Sequence, residues 1–189
     1  MATASPARAI PSVLRAGSRP MFASFHLGPA IELTGDWGSQ LKIGQEFGYH
    51  FSGRFEGPAL GISVEESFTN CTAASGVDCV SVELGPKLWW DFALVPGLGL
   101  YLTPMVRLGF THVHISATIF GQDFDGAANA FGIQLGLAVR LLLGDRGLVF
   151  FRPITMDMAI GGPDDDLKQV YDDHFGMRWD LVFGGGVTF

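Results

Sequence analysis

Apolar side chains recur at every second position through most of the chain, the spacing that gathers them on one face of an extended strand. Eight segments show it. In the first, Met21, Ala23, Phe25, Leu27, Pro29, Ile31 and Leu33 oppose Ser24, His26, Gly28, Ala30 and Glu32, and only Phe22 is out of phase. The second sets Leu41, Ile43, Phe47, Tyr49 and Phe51 against Lys42, Gly44, Glu46, Gly48 and His50. The third sets Leu60, Ile62, Val64 and Phe68 against Gly61, Ser63 and Glu65. The fourth runs from Val80 to Phe92 with Ser81, Glu83, Gly85, Lys87 and Asp91 on its polar face. The fifth runs from Leu98 to Phe110 with Gly99, Thr103, Arg107 and Gly109, and the sixth from Phe131 to Leu141 with Gly132, Gln134, Gly136 and Arg140. The seventh is weakest, because Arg152 falls among Leu148, Phe150, Ile154, Met156 and Met158. The eighth sets Phe175, Met177, Trp179, Leu181, Phe183, Val187 and Phe189 against Gly176, Arg178, Asp180, Gly184 and Gly186.

An even number of antiparallel strands lets the first and last pair, closing a barrel with no free edge. Alternation alone leaves two barrels open: a soluble lipocalin-like carrier with its apolar face inward, and a membrane barrel with that face outward. Three features favour the second. The glycines share the polar face, as the narrow interior of an eight-stranded barrel requires and a solvated surface does not. Apolar-face aromatics gather near the strand ends, with Tyr49, Phe51, Trp90, Phe92 and Phe189 at one rim and Phe68, Phe110, Phe131 and Phe175 at the other, like two interfacial girdles. The connections alternate, short at 52–54, 93–97 and 144–147, long at 69–78, 112–129 and 159–174, with 34–39 a short member of the long side. The expected fold is therefore all-β: an eight-stranded antiparallel up-and-down transmembrane β-barrel over 21–189, behind a flexible lead-in over 1–20.

Composition narrows the class. With 189 residues, 48% hydrophobic and 16% charged, the chain is one ordered domain. Its longest uncharged apolar stretch, Phe92 to Val106, holds two prolines and falls short of the roughly 18 residues of a membrane helix. A net charge of −7 gives no surface for neutralising phosphates, so no nucleic-acid partner is expected. The apolar runs within 1–20 are too short for a signal-peptide core, so the export signal of a membrane barrel is expected outside this sequence. Cys71 and Cys79 flank a polar stretch, where a disulfide would close a small surface loop in an oxidising compartment; two free thiols are the alternative, and no neighbouring His completes a metal set.

From Met21 to Phe189 the chain resembles the small eight-stranded outer-membrane β-barrel proteins of Gram-negative bacteria, the OmpA, OmpX and OmpW type. The most specific likeness is the terminus, Phe183-Gly184-Gly185-Gly186-Val187-Thr188-Phe189. The resemblance implies that Phe183, Val187 and Phe189 form the C-terminal signal read by the barrel assembly machinery. It also implies a monomeric cell-envelope protein in contact with membrane lipids and lipopolysaccharide, without a cofactor.

The inward set then comprises Glu32, Lys42, Glu46, His50, Glu65, Glu83, Lys87, Asp91, Arg107, Gln134, Arg140, Asp157, Arg178 and Asp180. Buried charges are costly unless paired, so these are expected to form a salt-bridge network that fills the lumen. A porin-like, narrow path for ions or small solutes is the functional alternative. His114 and Ser116 near the loop side resemble the catalytic pair of lipid A deacylases, but they fall in the wrong strand for that family and lack an evident carboxylate to orient the His. A non-enzymatic protein is expected. Asp164, Asp165, Asp166, Asp172 and Asp173 read as a solvated loop run rather than a cation site.

Overall fold

A computed structural model of the chain describes residues 12–34, 39–70, 77–119, 122–163 and 175–189. A short helix, α1 (Ser12–Gly17), precedes eight strands: β1 (Met21–Thr34), β2 (Gln40–His50), β3 (Gly57–Asn70), β4 (Val77–Val95), β5 (Leu100–Ile119), β6 (Gln122–Leu143), β7 (Gly147–Pro163) and β8 (Phe175–Thr188). Each strand pairs antiparallel with its sequence neighbour, and β8 pairs with β1 to close the barrel. At the seam, Met21 and Phe189 exchange backbone hydrogen bonds of 3.1 and 2.9 Å.

Pair partners traced from Phe22 through Gly48, Gly61, Lys87, Arg107, Gln134, Asp157 and Arg178 return to β1 at Glu32, ten residues further along. This stagger is what tilts the strands against the barrel axis. It also brings backbones close. A Cβ at Gly61 would lie 1.8 Å from the Phe47 carbonyl oxygen, so only glycine fits there.

The orientation separates the two kinds of barrel. Leu135 is 47% exposed on the outer wall and Leu181 lies on the same face, whereas Glu83 is 2% and Arg140 0% exposed inside. The lipocalin-like alternative, which needs the reverse, is excluded. Both aromatic rims face outward, with Phe51, Trp90 and Phe92 toward the short-turn end and Phe110 paired with Phe131 toward the loop end.

Four expectations are corrected. First, β7 changes phase within its length. Arg152 pairs with Val182 but Thr155 with Asp180, which places one extra residue in β7 around Pro153. This β-bulge turns Leu148, Phe150 and Arg152 inward while leaving Ile154 on the outer wall. Arg152 is the physical reason, since an Arg facing lipid at mid-depth costs about 2–4 kcal/mol. The freed Pro153 carbonyl accepts the Trp179 indole N–H at 3.1 Å.

Second, the described residues of the stretch 112–129 are strand, not loop. β5 and β6 pair without interruption from Thr111↔Ala130 to Ile119↔Gln122, well past the aromatic rim. β3 and β4 likewise extend to Asn70↔Asp78, and β7 reaches Pro163. Third, the described part of the lead-in is docked: Ala16 is buried, and the Gly17 carbonyl accepts the Phe55 backbone N–H at 2.8 Å.

Fourth, the interior is not wholly polar. At the short-turn end Phe22, Phe55, Trp89, Tyr101, Leu142, Leu148 and Phe150 form a buried cluster. Phe22 and Trp89 meet edge to face at 5.2 Å, and Phe22 rests on Gly48, where a Cβ would come within 2.4 Å of its ring. Glycine therefore makes room for the residue that breaks the period of β1.

The disulfide expected between Cys71 and Cys79 and the acids Asp164, Asp165, Asp166, Asp172 and Asp173 fall outside the described residues.

Candidate functional site in the lumen

Side chains on the polar face of every strand converge above the aromatic cluster. Among the described residues six Lys and Arg side chains, Lys42, Lys87, Arg107, Arg140, Arg152 and Arg178, are buried with six acids, Glu46, Glu65, Glu83, Asp91, Asp157 and Asp180. The count balances, as a low-dielectric interior demands.

Toward the loops, Lys42 of β2 lies at the centre. Its ammonium bonds Asp157, contacts Asp180 at 2.7 Å and Glu65 at 3.3 Å, and lies 3.7 Å from Glu83. Arg107 bonds Glu83 and reaches Glu65 at 3.1 Å, while Arg178 bonds Glu83 and donates to the Gln40 amide oxygen at 2.6 Å. The carboxylates of Glu65, Glu83 and Asp157 come close enough together to resemble a cation site. Lys42 and Arg107 already supply the positive charge between them.

Toward the turns, Lys87 donates to Glu46 and to Gln134, each at 2.6 Å, and reaches Glu65 at 3.5 Å, tying the two layers together. Arg152 bonds Glu46. Asp91 collects Arg140 at 3.1 Å, His50 Nε2 at 2.7 Å and the Thr103 hydroxyl. Arg140 stacks on the aromatic cluster, its guanidinium 4.7 Å from the Phe22 ring, and Arg152 sits 4.6 Å from Phe150. Cations over ring faces join the charged belt to the apolar plug beneath it.

Of the residues assigned to this network from sequence, all but Glu32 are buried. Glu32 is half-buried at the loop-side end of β1, in register with Arg178. Sequence reasoning missed Arg152, assigned to the wrong face, and His26, buried 3.5 Å from Glu65. An Arg beside a Pro on an otherwise apolar face was the available signal for the bulge.

His114 lies exposed on the outward face of β5, and neighbouring His112 shares a 2.9 Å hydrogen bond with Asn129. The side chain of Ser116 and those of Asp123 and Asp125, the acids nearest to it along the chain, lie outside the described residues. Phe183, Val187 and Phe189 all face outward from β8.

No family model matches the chain, and no curated protein matches it. Solved structures do. Neisserial surface protein A matches at a TM-score of 0.54 with 14% identity, over 89% of this chain and 97% of that one. This is the fold of the small eight-stranded outer-membrane β-barrels. Within that fold, the attachment invasion locus protein Ail of Yersinia pestis matches at 0.54 with 11% identity, over 91% and 99% of the two chains. A major outer membrane protein of Thermus thermophilus matches at 0.53 with 11% identity, over 88% and 99%.

Proposed function

We propose that the protein is a non-enzymatic, structural or surface-interaction barrel of a bacterial outer membrane whose lumen is a plug rather than a conduit. The interlocked belt of six Lys and Arg side chains and six acids carries this reading, because a solute would have to separate buried pairs to pass. The aromatic cluster, with Phe55 and α1 against it, closes the turn-side end. With the lumen filled, what remains for contact is the outside: the lipid-facing wall, and the β5–β6 hairpin that projects beyond the Phe110–Phe131 rim toward lipopolysaccharide. The outward-facing Phe183, Val187 and Phe189 support recognition of β8 by the barrel assembly machinery.

A narrow path is the second reading. The hydroxyls of Ser63, Ser67 and Ser81 are buried on the β3–β4 wall without hydrogen-bond partners among the described residues, a lining that suits water. Single-channel recording of the purified protein in planar bilayers decides between them. The plug predicts a silent membrane; discrete, reproducible current steps would overturn it.

A further inference from the structure

Between the two aromatic girdles, the described outer wall is apolar with three exceptions. One is Trp179, whose indole N–H is bonded to Pro153. The others are Gln45 in β2 and Glu66 in β3, both exposed on the outer face. They are close together: the register pairs Gln45 with Val64 and Ile43 with Glu66, making the two side chains diagonal neighbours on adjacent strands. Gln45 also faces Phe25 of β1, deep in the lipid-facing wall, and Glu66 lies on the hydrocarbon side of Phe68. Neither has a side-chain hydrogen bond or ion pair among the described residues.

An amide and a carboxylate facing hydrocarbon are costly unless something covers them. A lipid headgroup does not fit, since Gln45 lies too deep for it and a phosphate repels Glu66. The two groups instead complement each other: the amide donates two N–H bonds and the carboxylate only accepts. On one face, such a pair is self-complementary about a two-fold axis, where residue i meets j and j meets i. We propose that two copies of this chain associate in the membrane through their β2–β3 faces, Gln45 of each donating to Glu66 of the other. Flanking Leu41, Ile43, Ile62 and Val64 would pack around that contact. This departs from the monomer expected of the sequence, and it stands whether or not the lumen conducts.

The full chain carrying a photo-crosslinking amino acid at Ile43, or at Leu135 on the opposite wall as control, is reconstituted in phosphatidylcholine vesicles and irradiated. A species of twice the mass is expected from Ile43 and not from Leu135. Gln45→Leu and Glu66→Leu, which remove polar atoms from a lipid-facing position, are each expected to weaken association measured by energy transfer about tenfold, as for an interhelical hydrogen bond in a membrane. Both variants should still fold, judged by migration of the unheated barrel on a gel. The proposal is overturned by monomers at every protein-to-lipid ratio, by equal crosslinking from both walls, by dimers indifferent to both substitutions, or by crosslinking in whole outer membranes to a different protein.

Discussion

Two guanidinium groups, from Arg107 and Arg178, converge on the single carboxylate of Glu83, with the Lys42 ammonium 3.7 Å away. Glu83→Gln keeps the volume and removes the charge, leaving cations buried with too few counter-charges. Breaking a buried pair in this way costs about 3–5 kcal/mol. The expected result is a lower urea midpoint for unfolding from lipid vesicles, partly recovered by adding Arg178→Gln to restore the balance. A double-mutant cycle then isolates the pair; if Glu83→Gln leaves the midpoint unchanged, the network does not stabilise the barrel.

Among the elements, β7 shows how a strand can be read correctly in each half and wrongly as a whole. Its extra residue at Pro153 lets Arg152 and Thr155 both face inward, although three positions separate them. Deleting Pro153 restores strict alternation with both halves keeping their faces. That variant is expected to fold, losing only the Trp179 bond and stability on the order of 1 kcal/mol. Deleting Leu135 from the regular part of β6 instead inverts half a strand, which should abolish the folded species on an unheated gel. Equal tolerance of both deletions would contradict the bulge.

The remaining strands were legible in sequence because one face meets lipid and the other a packed lumen, so each residue carries an orientation signal. That signal fades above the rim, where both faces of the β5–β6 hairpin leave the hydrocarbon. His112 to Ile119 therefore read as loop although their backbone pairing continues. Phe55 gave no signal at all, since a turn residue that folds back to cap an interior follows no period. The lumen charges were visible for the same reason as the strands, while their pairing was not: which acid meets Lys42 depends on the stagger between strands, a property of closure.

For the whole molecule, closure depends on β8 finding β1, and Phe189 stands where that seam begins. Its backbone N–H bonds Met21, while its ring projects outward 6.1 Å from Phe47. Phe189→Ser keeps the backbone bonds. It is expected to lower the amount of barrel assembled in outer membranes of living cells several-fold, with the yield of purified protein refolded in detergent almost unchanged. Equal losses in both settings would make the ring a structural prop instead of a recognition element.

The ten-residue return of the pairing path bears on how injury would spread. Lys87, Arg107, Gln134, Asp157 and Arg178 are successive stops on that path, so the charged belt is cut like a screw thread, not stacked like hoops. A lesion at Lys87 should loosen its successors up the thread toward Glu32, sparing residues of equal height on the far wall. Amide exchange of the cross-strand bonds would then show a sloping band of weakness climbing the cylinder.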